Sequence, residues 1–534
     1  MTTAEAGATA LTAATLEVLR LPREADTLPA LFRSRAARLG DRPFLVHGDR
    51  VHSWRQAADL AGRWAGHLAG MAAPGDRVAV VLPNCDSHVI LFLACAQAGL
   101  VFVPVNPALT GGEMAAVLAV VTPALVIAAP AGAGKLAAAA VPRLLVLADE
   151  GLALPALPDL PPPAVEVGPD LPLAIVFTSG TTGVPKGAVH CHRTYVIAAE
   201  IAAFRMRLNG DDRLMVILPL FHLNALFYSI GGAIVCGGRL VVEERFQAGR
   251  FWQAVARHGV TQVNMIAAVG NILLKRDRSE FPGNATLRKV SAAPVTKEVA
   301  TALREAFGIT NLVESYGMTE APGIAQVDFF DQGHRACLGR PIVHPLSGDA
   351  ISEVRIVDED RQPLPAGEVG RIMVRARTMM SGYFNRPDLS ERLGPDGWFL
   401  TEDRGRADSD GYLYFCGRTA DLIRTRGENV SAAEVEAALL THPAVSEAGC
   451  IGIPSDLGEE DILAAIVPRE GVDLDLGQVM RHCRERLSRH KLPRYLLVRA
   501  ELPKTPTQKI AHHRLRGDPD LIADAIDVAG LAAR

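Results

Sequence analysis

The stretch Leu173-Ala-Ile-Val-Phe-Thr-Ser-Gly-Thr-Thr-Gly-Val-Pro-Lys-Gly187 opens on a β-branched apolar run and empties into three glycines, four hydroxyls and a lysine. The apolar run predicts a buried strand. The segment after it, Thr178 to Gly187, has the parts of a phosphate cradle: backbone N–H groups that can approach closely, hydroxyl donors and one mobile cation. Its spacing, Gly180-x-x-Gly183-x-x-Lys186, is not that of a Walker A loop. On composition alone it also reads as a flexible surface turn. A second Gly-Lys run, AGAGKL at 131–136, fails the Walker pattern too and reads as an Ala-Gly turn.

Outward from this stretch, short runs such as RVAVVL, GLVFVPV, ALVIAA and LLVLA alternate with Ala- and Leu-rich segments of helical period. That is the pattern of an α/β fold with largely parallel strands. Seven prolines between 155 and 172 exclude a helix or central strand and predict an extended connection. From Ser347 to Phe415 the texture becomes short alternating strands with Gly and Asp turns, a small β-rich lobe. Beyond it, Ser431 with Glu434 predicts a capping box ahead of Val435, Ala438 and Leu439, and Val479, Cys483 and Leu487 mark a second helix. With the strand-like EAGCIGIP, ILAAIVP and RYLLVR, these last hundred or so residues form a compact α+β domain. The boundary falls near Arg418–Leu422, giving a body over 1–418 and a C-terminal domain over 419–534.

A chain of 534 residues exceeds one ordinary core. Fifty-nine acidic against 55 basic side chains, with no long single-sign run, suggest neither a nucleic-acid nor an anionic-membrane partner. A small molecule is the expected ligand. Eight cysteines form no C-x-x-C pair and no metal-ligand spacing, which fits a reducing compartment. The N-terminal stretch does not read as a secretory signal. The apolar stretch Val89–Val105 is interrupted by Gln97, Gly99 and Pro104 and is too short to span a bilayer. A cytoplasmic protein is expected, and a homodimer is the base-rate guess.

The run TSGTTGVPKG closely resembles the signature of the adenylate-forming superfamily, which includes acyl-CoA synthetases, firefly-luciferase-like enzymes and peptide-synthetase adenylation domains. Further matches run in that family's order from about residue 30 to 517: PLFHLNA (219–225), SAAPV (291–295), ESYGMTE (314–320), GEVGRIMVR (367–375), GWFLTEDRG (397–405), GRTADLIRTRGENVSAAEVE (417–436) and LPKTPTQKI (502–510). The resemblance implies a large multi-lobed N-terminal body and a mobile, smaller C-terminal domain. It also implies ATP, Mg²⁺ and CoA as second substrate: an acid is activated as its acyl-AMP and passed to CoA. The surroundings of PLFHLNA look most like crotonobetaine/carnitine-CoA-ligase-like acyl-CoA synthetases.

Roles carry over by position. Thr178, Ser179, Gly180, Thr181, Thr182, Gly183 and Lys186 resemble the phosphate loop. Tyr316 resembles the aromatic that covers adenine, with Ala292, Ala293 and Pro294 on the other ring face. Thr319 matches the α-phosphate hydroxyl, and Glu320 the Mg²⁺ carboxylate, an oxygen ligand for a hard cation. Asp403 matches the acceptor for the ribose hydroxyls and Arg418 the arginine at the domain junction. Lys509 matches the lysine that bridges the attacking carboxylate and the α-phosphate. His222 resembles the residue at the carboxylate end of the acyl site. Gly427, in Thr425–Asn429, resembles the glycine that lets a pantetheine arm pass. Asn224, Phe227, Asn264, Met265, Ala267, Gly317 and Met318 fall at acyl-pocket positions; two asparagines without a buried charge suggest a short or polar acid. Standing alone, each of these residues reads as an ordinary core aromatic, surface ion-pair member or half-buried histidine.

The chain departs from the family pattern at Ala420, where the hinge is usually Asp or Lys, at Gln508 before Lys509, where glycine is common, and at Glu402 before Asp403. These departures leave open an adenylating enzyme with another acceptor: an amine, a carrier-protein thiol, or nitrite in a diazotisation. A non-catalytic nucleotide binder is disfavoured by the retained Lys186, Glu320, Asp403, Arg418 and Lys509.

Overall fold

The computed structural model describes residues 27–136, 139, 141–148, 154, 162–178, 185–283, 285–292, 297–327, 337–390, 393–418, 422–425, 428–455, 460–487, 491–505, 509–518, 520–521 and 523–528. It divides into two compact units, 1–354 with 374–399, and 355–373 with 400–534.

The first unit is built on two large sheets. One orders its seven strands Gly382–Tyr383, Lys186–Cys191, Pro172–Thr178, Val101–Pro104, Arg77–Val81, Leu125–Ala128 and Leu144–Val146. The last five are mutually parallel, as the β-branched runs predict, while Lys186–Cys191 turns back antiparallel on Pro172–Thr178. The other sheet has nine strands, with a parallel centre of Asn311–Tyr316, Lys289–Ala292, Gln262–Met265, Arg213–Val216, Arg239–Val242 and Pro43–His47. Helix Asp86–Gln97, buried at every position, packs on strands of both sheets. Helix His192–Arg205 is buried at all but one position. Helices buried on all sides belong inside a core, and the main hydrophobic cluster runs continuously through both sheets and these helices. The apolar stretch around Val89 is thus a core helix followed by a strand. No described helix is long and apolar enough to cross a membrane.

Two local expectations are corrected. AGAGKL lies not in a turn but in a short helix, Pro130–Lys135, started by proline at its first position and seated by Gly132 against Val81. Lys135 spends its amine on the Pro107 carbonyl, 2.8 Å away. Nor does Ser431–Glu434 form a capping box. Helix Ala432–Leu440 starts where expected, but the Ser431 hydroxyl caps nothing, and Glu434 pairs with Lys491 at 2.6 Å. Of the proline-rich connection, residues 162–171 carry no helix or strand, and Val165 lies against Gly99.

The second unit carries the antiparallel hairpin Phe399–Ala407 with Leu413–Arg418, the hairpin Leu422–Thr425 with Glu428–Ser431, and a four-stranded sheet built on Val445–Pro454 and Glu460–Pro468. Its helix Leu476–Arg484, capped by Asp475, lays Val479, Met480 and Cys483 on a separate small core.

Candidate active site

The parallel strands Gln262–Met265, Lys289–Ala292 and Asn311–Tyr316 end side by side, with Met265 opposite Ala292 and Ala292 opposite Glu314. Tyr316 comes two residues on. This is the carboxyl edge of a parallel sheet, where open α/β folds place ligands. The chain then makes a tight turn, Met318 and Ala321 exchanging N–H···O bonds of 3.2 and 3.1 Å, so that Thr319 and Glu320 sit at its tip. Gly317 is exposed, and a Cβ there would stand 2.9 Å from the Gly323 nitrogen, which is why the turn needs glycine.

Two side chains from the other sheet hold this turn. His190 Nε2 lies 2.7 Å from the Thr319 carbonyl. Burial pushes the His190 pKa down to about 4, so the neutral ring donates Nε2–H to that carbonyl. Its ring meets Phe227 edge-on at 5.2 Å. The Tyr383 hydroxyl donates to Glu320 Oε1 at 2.6 Å, and the Met380 N–H donates to the Glu320 carbonyl at 2.8 Å. Sequence reasoning missed both; each contact joins residues far apart in the chain.

The phosphate-loop stretch forms an antiparallel hairpin base in which Thr178 lies opposite Lys186, itself buried. Gly187 is required there: a Cβ would fall 2.6 Å from Ile175 Cγ2. Strand Gly382–Tyr383 pairs with this hairpin, and the Phe384 N–H donates to the Gly187 carbonyl at 2.8 Å. One short segment thereby links the loop base to Glu320. Ser179, Gly180, Thr181, Thr182 and Gly183, like Ala293, Pro294 and Gly427, lie outside the described residues.

At the acyl-pocket positions, His222 opens a helix that continues as a π-helix over Asn224–Ile230, a geometry often kept for function. Asn224 Oδ1 is buried with no partner among the described residues. Asn264 is engaged: Gln262 donates to its carbonyl at 2.7 Å and its amide donates to Ser229 at 2.9 Å. Phe227 and Met265 are fully buried, Phe227 packing on Tyr195 at 4.9 Å. Ala267 begins the helix Ala267–Lys275. The pocket region also has what the sequence reading lacked, a buried charge: Arg205, over the ring of Tyr228.

In the second unit Asp403 is buried, lies opposite Arg418 in the hairpin register, and gives its N–H to the Thr401 hydroxyl at 3.1 Å. Lys509 is exposed. Its backbone is tied on both sides to Thr505, donating to the hydroxyl at 3.2 Å and accepting from the N–H at 2.8 Å. Glu320 is half-exposed, and Tyr383 occupies a single one of its oxygens. One accessible carboxylate suits Mg²⁺, which takes few protein ligands beside nucleotide phosphates.

Comparison with known proteins agrees with this geometry. The AMP-binding enzyme family matches residues 32–384, and the AMP-binding enzyme C-terminal domain matches residues 434–509. The chain is 34% identical to the sulfoacetate–CoA ligase of Cupriavidus necator, over 92% of this chain and 98% of that one. It is 32% identical to a feruloyl-CoA synthase of Amycolatopsis sp, over 90% and 97%. Among solved structures, ATP-bound MatB from Rhodopseudomonas palustris superposes with a TM-score of 0.82 at 25% identity, covering 92% of this chain and 98% of that one. With its large domain matched through Phe384 and its C-terminal domain through Lys509, this chain belongs to the AMP-binding enzyme family.

Proposed function

We propose that the carboxyl edge formed by Met265, Ala292 and Tyr316, with the turn Gly317–Glu320 clamped by His190 and Tyr383, is where ATP and an acid react. The chain is an AMP-forming acid–CoA ligase: ATP and the acid give an acyl-AMP and pyrophosphate, and CoA then takes the acyl group, with Mg²⁺ required. The observation that carries the assignment is the double clamp. It fixes Thr319 and Glu320, from opposite flanks, at the carboxyl edge of a parallel sheet.

In this reading Tyr316 covers the adenine and Ala292 backs it. Thr178 and Lys186 hold the base of the loop that receives the β- and γ-phosphates, and the Thr319 hydroxyl meets the α-phosphate. Glu320, held by Tyr383, is the carboxylate for Mg²⁺, which neutralises phosphate charge when bound. Asp403 accepts from the ribose hydroxyls, and Arg418 reaches the nucleotide. Lys509 supplies positive charge where the acid oxygen attacks the α-phosphate and pyrophosphate leaves, as charge grows in line. His222 lies at the carboxylate end of the acyl pocket, which Asn224, Gly317 and Met318 continue. The C-terminal domain, 419–534, turns between the two half-reactions, bringing Lys509 for the first and Gly427 for the second. The acid is short and polar, which the unpartnered Asn224 carbonyl supports. We assign the protein to the cytoplasm, in keeping with free cysteines among the described residues, and to a homodimer, which sedimentation checks.

The test is acid-dependent pyrophosphate release across short, polar, aryl, aminoaryl and long-chain acids, with and without CoA, products identified by mass. A thioester formed with CoA supports the reading. An acyl-AMP that ignores CoA and acylates an amine instead would replace it with an amide-forming one.

A further inference from the structure

Arg205 closes the helix His192–Arg205 and is 3% exposed. Among the described residues its Nε makes no hydrogen bond and no carboxylate pairs with it. Burial lowers its pKa, with Tyr228 alone opposing. A guanidinium does not deprotonate in a protein. A buried one without a counter-charge is therefore a large energetic deficit, which a bound anion would cancel.

Its contact with an aromatic ring points to where that anion sits. Arg205 Cζ lies 5.1 Å from the centroid of the Tyr228 ring. Tyr228 belongs to the same π-helix as Asn224, and its hydroxyl lies 3.4 Å from where a Cβ would stand on exposed Gly317. Burial raises the Tyr228 pKa, so its hydroxyl keeps a proton to give. A cation over the ring makes that O–H a stronger donor and supplies positive field behind it. His222 and Tyr228 stand six positions apart in one short helical segment, so an acid that reaches from one to the other is a short one.

We propose that Arg205 and Tyr228 form an anion receptor at the far end of the acyl pocket, so that the acid activated carries a second anionic head, carboxylate or sulfonate, on a short chain. This deepens the ligase reading above and rests on it. Arg205 sets specificity and takes no part in bond making.

The experiment compares kcat/KM of the full-length enzyme, with ATP, Mg²⁺ and CoA, for malonate, succinate and sulfoacetate against the monomethyl esters of the two diacids and against butyrate. The expected result is a preference for the dianions of about tenfold to a hundredfold, the range of a charge-assisted hydrogen bond, expressed in KM. Arg205→Met should level that preference, Arg205→Lys should keep part of it, and Tyr228→Phe should weaken it. AMP binding and a melting curve report whether Arg205→Met folds; if it does not, the wild-type preference and Arg205→Lys decide. A wild type that uses half-esters or butyrate as well as dianions overturns the inference and leaves the ligase reading standing, as does a folded Arg205→Met that keeps the preference. Absence of pyrophosphate release with every acid would overturn both.

Discussion

His190 offers a direct test of how the two sheets hold the reactive turn. Its ring is fully buried, its Nε2–H serves the Thr319 carbonyl at 2.7 Å, and burial puts its pKa at about 4. An unfolded histidine titrates near 6.5. The folded state therefore binds fewer protons than the unfolded one as pH falls below that value. Stability from this group is fully present above pH 6.5, is lost progressively between 6.5 and 4, and stays flat below 4. A difference of some 2.5 pH units corresponds to about 3 kcal/mol at the acid limit, and to about 1.4 kcal/mol at pH 5.5. His190→Gln keeps an N–H donor at a similar reach and removes the titration. Urea unfolding of the first unit at half-unit steps from pH 7.5 to 4.5 should give a wild-type curve falling more steeply than the variant's, by about 1 kcal/mol per pH unit below pH 6. His88 and His192, also at about 4 through burial, set the common slope of both proteins. Parallel curves would refute the reasoning, because they would mean that His190 takes up a proton in the folded state without penalty.

Tyr383→Phe removes the hydroxyl from Glu320 and should raise the Mg²⁺ concentration at half-maximal pyrophosphate release about three- to thirtyfold with the KM for the acid unchanged; a Mg²⁺ titration checks it. Gly187→Val forces atoms into Ile175 and should cost about 1–3 kcal/mol in the melting of the first unit, with ATP binding weakened in proportion. Thr505→Val deletes the acceptor for the Lys509 N–H. It should lower the rate of acyl-AMP formation about two- to tenfold and leave the reaction of preformed acyl-AMP with CoA unchanged; separate assays of the two half-reactions check this.

The strands were legible because a parallel sheet buried on both faces needs continuous β-branched runs, and Arg77–Val81, Val101–Pro104 and Leu125–Ala128 lie where those runs stand. Helix Ala432–Leu440 was legible as an element, but its capping was not, since Lys491, more than fifty residues away, takes the Glu434 carboxylate. The same limit governs the site. Thr319, Glu320 and Lys186 are read from local motifs, whereas His190 and Tyr383 act on them across 129 and 63 residues. Arg205 carries no local motif that would mark it, and only the packing of one helix on another brings it over Tyr228. Asn264 had the opposite fate: its residue type suggested a free pocket amide, but Gln262 and Ser229 occupy it.

The site divides its labour by rigidity. Ala292 and Tyr316 stand on buried strand ends, and Thr319 and Glu320 on a turn fixed from two sides, so their positions are set before a ligand arrives and little order must be imposed on binding. Lys509 is built the other way. Its side chain is exposed, which suits a group to be delivered, while the chain around it is fixed: Thr505 holds its N–H and C=O, Lys504 bridges Ile510, and Ile510 packs where a Cβ on Gly449 would come within 2.8 Å. A long flexible amine on a closed loop base can search a small volume without unfolding its support. This bears on Gln508, which stands where the family commonly has glycine and lies outside the described residues. Glycine there provides backbone freedom, whereas closure of this loop comes from Thr505 on its other flank. The loop can therefore dispense with that freedom while its Thr505 bonds remain, and loss of Thr505 should matter more in this chain than in a relative that keeps the glycine.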